Sequence, residues 1–371
     1  MEPTIVFAGA NNARRLDCLK EARVDAVMTS FEYIGKGHYM KKVYPKLMEW
    51  PVRKYLDSGV FTFVRKAGTT RIRIARAAEV IQKPASIQLE EFRKFYAEYV
   101  AYLKQYGEFW DHVIELDVDE IAATVWYETK EPKPKSLDLQ EGWAERGREW
   151  AMANIRKIQD NLREIVGDRL MPAWHVQRGH DGWTDMVARF PYVAVGSDTG
   201  VPTSTLSSRP PMETAILRGM CREAHETGTF VHYLGDTRYK TFMQAELDSA
   251  DSTTWVSAGR FGQFPGPKGQ SIRYTSRGGL EQSIEIGRMV IDGLSTHDGS
   301  GLARQKGDWQ RTIRPIDMSR ARQFRDLMSS WGIDPDKILE GSQEERLLSN
   351  IRLLLLRQEE IRRMRSVGAR G

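Results

Sequence analysis

Eight short apolar runs, rich in β-branched and aromatic residues and separated by longer stretches of helical character, punctuate the first 255 residues of the 371-residue chain. They are TIVFAGA (4–10), DAVMTSF (25–31), KYLDSGVFTF (54–63), HVIELDVD (112–119), LMPAWHVQRG (170–179), YVAVGSD (192–198), TFVHYLGD (229–236) and DSADSTTW (248–255). Strands that alternate with helices are joined by crossovers, which makes their sheet parallel, and eight is the number that closes a (β/α)8 barrel. The expected fold class is therefore α/β, a (β/α)8 TIM barrel. The intervening helices are legible too. Ser86 suits the cap of a helix over about 87–106, where Leu89, Phe92, Tyr96, Tyr99 and Leu103 recur at helical spacing. Further helices are expected over 140–166 and 210–228, the last opened by prolines and stopped at Gly228.

Three stretches stand outside the alternating pattern. A basic insertion near 65–85 holds Arg65, Lys66, Arg71, Arg73 and Arg76 with no acidic residue between them. The last thirty or so residues form a helical C-terminal extension with an Arg-rich end, and FGQFPGPKGQ (261–270) is a Gly/Pro-rich loop. The expected division is a barrel domain over 1–300 and a helical extension over 301–371. A net charge of +5 permits a polyanionic partner without requiring one. The two cysteines, Cys18 and Cys221, cannot form a disulfide framework or a four-thiolate zinc site and fit a reducing compartment. The N-terminus lacks the pattern of a secretory signal and no run of about 18 apolar residues occurs, so no membrane partner is expected and the cytoplasm is the expected location.

In a (β/α)8 barrel the site is built at the carboxyl ends of the strands. Those positions hold Asp57, Asp117, His175, Gln177, Gly196, Ser197, His232, Gly235, Asp248 and Asp251. No G-x-G-x-x-G follows the first strand, no G-x-x-x-x-G-K-[ST] occurs, and no lysine closes a strand, so dinucleotide, NTP and Schiff-base chemistry lack their parts and no cofactor is expected. A metal-dependent barrel hydrolase using His175, His180, His232 and Asp251 is one alternative. Paired carboxylates are the other, because two of them facing a C1′–N bond are what glycosyl transfer uses, one as nucleophile and one as acid or base.

The order of LDSGVF, VIELDVDE, HVQRG, VAVGSD, VHYLG and LDSADSTTWVSAGRFGQ resembles the tRNA-guanine transglycosylase superfamily, and looks closest to its phage-type members that modify DNA with 7-deazaguanines. The likeness spans about residues 25–265. It implies a transferase that exchanges guanine for a 7-deazaguanine such as 7-cyano-7-deazaguanine through a covalent aspartyl intermediate. Asp251 then matches the family nucleophile and Asp57 the general base. Asp117, Gln177 and Gly196 match the base-edge contacts, with Ser197, His232, Gly235 and Asp248 as further substrate neighbours. Arg65, Lys66, Arg71, Arg73, Arg76 and Arg260 become the expected nucleic-acid contacts. Ser197 stands where the tRNA enzymes have Glu, and no Cys follows Cys221, so their cysteine zinc site has no equivalent. These departures favour DNA over tRNA as the partner and leave tRNA exchange as the alternative within the class.

Overall fold

The computed structural model describes residues 2–34, 41–59, 85–116, 137–196, 214–253, 255–256, 263–265, 271–273, 281–284, 289–292, 326, 328–334 and 343–368. For 85–92, 137–151, 177, the strand residues between 263 and 292, 343 and 368, the description is of the backbone alone. The chain gathers into two compact units, one of residues 1–27, 236–244 and 249–371, the other of 28–235 and 245–248. Residues on both sides of the expected boundary at 300 belong to the first unit.

All eight expected runs form strands, and they lie in one sheet. In chain order the strands are β1 (Thr4–Ala8), β2 (Ala26–Ser30), β3 (Arg53–Asp57), β4 (His112–Ile114), β5 (Leu170–Met171), β6 (Ala173–Trp174), β7 (Tyr192–Val195), β8 (Phe230–Tyr233) and β9 (Ser249–Ser252). Their lateral order is β5-β4-β3-β2-β1-β9-β8-β7-β6, and each described register within it is parallel. The two outermost members, β5 and β6, are halves of one run parted at Pro172. Leu170 and Met171 pair with β4, and Ala173 and Trp174 pair with β7. The run 170–174 thus joins both edges of the order, and the sheet closes as an eight-run (β/α)8 barrel. Proline has no N–H for a ladder, so it marks the change of partner. Its carbonyl still accepts from Ala194 N–H at 2.7 Å.

Within the second unit the interior is packed by rings. Tyr55 of β3 lies 4.6 Å from His112 of β4 and 5.8 Å from His232 of β8 between centroids, and Tyr192 of β7 lies 4.8 Å from His112. Tyr55 and His232 are fully buried, as befits a barrel whose interior is core rather than pore. Burial pushes the His112 imidazole down to about 4, with the neighbouring His232 and Arg53 acting in the same direction. After the short helices α2 (Phe31–Ile34) and α3 (Tyr44–Met48), the helix expected over 87–106 spans Ala85–Tyr106 (α4), and its Phe95, Tyr99 and Tyr102 gather around Phe31 at 5.0 to 5.5 Å. The helices expected over 140–166 and 210–228 span Leu137–Val166 (α5) and Thr214–Glu226 (α7), with α6 at Gly179–Arg189 between them.

In the first unit, α1 (Ala13–Glu21) follows β1 and is capped by Asn12, whose side chain accepts from Arg15 N–H at 3.0 Å. Beyond α8 (Tyr239–Ala245), the helix Gln343–Gly368 (α9) packs on α1 and β1. Gln358 accepts from the Ile5 N–H at 2.6 Å and Arg362 donates to Pro3 O at 2.9 Å. The helical extension is therefore the outer-layer helix that covers β1. Two antiparallel hairpins stand between β9 and α9, β10 (Gln263–Pro265) with β11 (Ser271–Arg273) and β12 (Glu281–Ile284) with β13 (Met289–Asp292), where only a Gly/Pro-rich loop was expected.

Aspartates seal the amino ends of several strands. Asp111 donates its N–H to Lys54 O at 3.0 Å, and its carboxylate accepts from Lys54 N–H at 2.7 Å. Asp248 repeats the exchange with Val231, at 3.1 and 2.8 Å. Before β2, Asp25 accepts from Gln358, which in turn holds Ile5 N–H. Asp111 and Asp248 each satisfy a backbone donor that a parallel strand would otherwise leave unpaired at its start, and Asp25 orients the Gln358 amide that does so for Ile5.

Candidate functional site at the carboxyl ends of the strands

The strands of the second unit end in turns that only certain residues permit. Asp57 closes β3 and is followed by Ser58 and Gly59. Gly59 has φ +76°, and a Cβ there would stand 2.6 Å from Ser30 Oγ and 2.9 Å from Glu32 Cβ. A left-handed backbone pressed against the start of the Phe31 helix accepts glycine alone. By two-residue alternation Asp57 shares the interior face of Tyr55. Its charge, together with that of Glu115 and behind the larger effect of complete burial, holds the Tyr99 phenol well above its usual range. Tyr99 stays protonated and donates to Ile114 O at 2.8 Å.

Beyond β4 and β6 lies a buried ionic cluster that the strand-end reading missed. Arg178 pairs with Glu115 at 2.5 Å, both side chains 1% exposed. Gln159 of α5 donates to the second Glu115 oxygen at 2.7 Å, and Arg189 donates to Gln159 at 3.2 Å. One signal was available, since Glu115 and Arg178 are opposite charges each set in a strand-like run. Gln177 lies in the short 3-10 turn Val176–Arg178 that carries Arg178.

The end of β7 departs from expectation. The Gly196 N–H donates to Trp174 O at 2.9 Å as part of the sheet, so it does not offer the base-edge donor anticipated from the sequence. What Gly196 supplies is room. A Cβ on it would fall 2.3 Å from His175 Cε1, so the buried His175 ring occupies that place. His232 is likewise corrected: it lies in the ring layer beneath the strand ends, in register with Ala194 and fully buried, and not among exposed contacts. Gly235, φ +77°, turns the chain after β8.

Asp248 is also reassigned. Its Oδ2 accepts from Val231 N–H and from His225 Nε2, both at 2.8 Å, at the amino end of β9. Its bonding is that of a strand-sealing residue, not of a substrate neighbour. The reason is period: three residues of strand carry Asp248 and Asp251 to different levels and faces.

Asp251, in the first unit, stands near the carboxyl end of β9 in register with Val6, and is 7% exposed. Phe7, the next residue of β1, packs edge-on to Trp255, whose carbonyl accepts from Asn350 of α9. That side faces the helix, so Val6 and Asp251 face the opposite side, the barrel interior. At the end of β1, Gly9 has φ +90° and its carbonyl accepts from Arg15 Nη1 at 3.0 Å, a cation at the strand ends that the sequence reading did not single out. Asp117, Ser197, Arg260 and the basic residues Arg65, Lys66, Arg71, Arg73 and Arg76 lie outside the described residues.

The histidines of the metal alternative do not converge. His180 is exposed on α6 and meets Glu223 at 3.1 Å, His232 is in the ring layer, and His175 lies against Gly196. Among the described residues no group of three or more His, Cys, Asp or Glu is placed to hold a metal. No helix among them is long and apolar enough to cross a membrane.

Comparison of the sequence with family models and with curated proteins gives no match. Among solved structures, one similar chain is a provisionally assigned fructose-1,6-biphosphate aldolase from Coccidioides immitis, 7% identical with a TM-score of 0.37, covering 70% of this chain and 78% of that one. Another is a D-allulose 3-epimerase from Methylomonas sp., 10% identical with a TM-score of 0.33, covering 68% and 84% respectively. Likeness at this level carries nothing about chemistry, and the barrel rests on its own strand order.

Proposed function

We propose that the protein is an enzyme of base exchange, a DNA-guanine transglycosylase that replaces guanine by a 7-deazaguanine. One observation carries the reading: Asp251 is an inward-facing carboxylate at the carboxyl end of the last strand, while its neighbour Asp248 is bound into the frame. The carboxyl end of β3 carries the second carboxylate, Asp57.

An Asp251 oxygen attacks C1′ as the C1′–N9 bond of guanine breaks, and the Asp57 carboxyl gives its proton to the departing base. The cation-like transition state gains from the adjacent anion. The incoming deazaguanine then attacks C1′ through N9, its N9 proton passes to Asp57, and Asp251 leaves as the carboxylate. Two displacements give net retention. A planar base needs donors and acceptors along its edge, for which Asp117 and Gln177 are the residues in place by sequence.

The test is labelled-guanine exchange into duplex DNA, single-stranded DNA and tRNA, with trapping of a protein–nucleic acid adduct under denaturing conditions. Exchange into DNA with an adduct that Asp251→Ala does not form is expected. Exchange into tRNA alone would move the reading to the tRNA reaction, and no exchange into any of the three would end it.

A further inference from the structure

We infer that His175 is a further base-contacting residue of the site: its imidazole, seated against Gly196 on the interior face of the strand ends, hydrogen-bonds the heterocyclic base and sets which base is accepted. This deepens the transglycosylase reading and rests on it.

Two strands build the seat. Trp174 turns outward to Trp183 of α6, edge-on at 6.2 Å, and the backbone of His175 is still extended (φ −125°, ψ 156°), so by alternation the imidazole faces the barrel interior. Ala194 is in register with His232 of the ring layer, which puts Gly196 on that same interior face, two residues and roughly 7 Å nearer the carboxyl end. A Cβ on Gly196 would fall 2.3 Å from Cε1 and 2.5 Å from Nδ1 of His175, so any larger residue at 196 would displace the ring. From the same layer Tyr55, the neighbour of His232 at 5.8 Å, leads in two residues to Asp57, which is partly exposed. The imidazole and the Asp57 carboxylate therefore share the storey directly above the rings, at the end of the barrel where substrates are held. His232, which the sequence favoured, is one storey too low.

Packing alone has simpler solutions. Desolvating an imidazole is unfavourable and glycine at a strand end costs chain entropy, whereas a leucine at 196 over a small residue at 175 fills a like volume with neither drawback. A strand glycine marks a close approach, and here the group that approaches is an imidazole. When neutral it brings one donor and one acceptor on a flat ring. The ligand class that follows is a purine or deazapurine, planar and with both donors and acceptors on its edge.

The experiment uses the full chain with guanine as the probe. It follows guanine binding by calorimetry and, in wild type, the His175 ring C–H resonance, identified by its absence from His175→Gln. Guanine is expected to shift that resonance. His175→Phe keeps a flat ring without the nitrogens, so guanine affinity should fall about 10- to 100-fold, with part of it kept by His175→Gln. The double variant Gly196→Ala with His175→Ala places a methyl group where the ring was, and reads the same contact should the single variants fail to fold. Gly196→Ala should add no further loss of affinity in the His175→Ala background, because both changes remove the same imidazole from its seat. A ring that only fills the core would lower the melting temperature on substitution, with guanine affinity within twofold of wild type in folded His175→Phe and in the double variant and no shift of the resonance, and that result would overturn the inference. A wild-type chain that neither binds nor exchanges guanine would overturn the function, and the inference with it.

Discussion

The two ends of the strands use the same residue type for opposite purposes. At the amino ends, Asp25, Asp111 and Asp248 turn their carboxylates onto backbone donors directly or through Gln358. At the carboxyl ends, Asp57 and Asp251 follow the interior faces of their strands, and the turns beyond are glycines with φ between +76° and +90° at Gly59, Gly235 and Gly9. One end is closed by hydrogen bonds and the other is opened by small residues. An aspartate in this fold is therefore read by which end of its strand it occupies.

The sharpest way to break that contrast is to change its two members within one strand. Asp251→Asn keeps shape and removes the nucleophile, so exchange should fall by a factor on the order of 10⁴ or more while the melting temperature stays near wild type. A loss below tenfold in steady-state exchange would take the nucleophile away from β9. Smaller effects should follow from the glycines. Gly59→Ala forces a Cβ to within 3.0 Å of Ser30 and Glu32 at a left-handed φ, and should cost about 3 kcal/mol in denaturant unfolding. Gly228→Ala, at the amino side of β8, has φ +78° but nothing within 4 Å, and should cost only about 1 kcal/mol. Equal costs would show that φ alone, and not close approach, sets the glycine at the β3 end.

The sealing aspartates come next. Asp111→Ala and Asp248→Ala each orphan a strand-start N–H, and should destabilise by about 2 kcal/mol while the folded protein keeps its exchange rate. A loss of exchange in Asp248→Ala with unchanged unfolding would return Asp248 to the site. The smallest effect concerns the ring layer. His112 has its folded value lowered from 6.5 to about 4 by burial, so the unfolded chain binds the extra proton in that window. Stability from this group is present above 6.5 and is lost as pH falls toward 4, by about 1 kcal/mol between pH 7 and pH 6. His112→Phe should flatten the melting temperature over that interval, and an unaltered pH slope would show that His112 takes up its proton equally in both states.

Much of the frame was legible because each strand run is contiguous and bounded by its own turn residues. TIVFA, DAVMTS and YVAV announce burial on both faces without reference to anything distant. The seam at Pro172 was visible as a residue in LMPAW, but its consequence depends on β4 and β7 reaching it from opposite edges. The site was less legible for the same reason. Asp248 has its partners at Val231 and His225, and nothing in DSADS reports them. His232 was correctly placed on a strand, but alternation gives a face and not a depth, and depth decides between core and contact. Gly196 was read as a donor because its neighbour His175 and its bond to Trp174 come from another strand.

The hold of α9 on β1 has a consequence for how the molecule comes into being. The N–H of Ile5 meets a side chain 353 residues later, and Arg357 of the same helix donates to Thr237. During synthesis β1 leaves the ribosome well before α9, 353 residues separating Ile5 from Gln358, and must wait for that helix before its outer cover exists. Closure over so long a separation is slow and exposes apolar surface meanwhile. A nascent chain halted before α9 is then expected to remain bound by chaperones with β1 open to protease, and to fold only when α9 emerges.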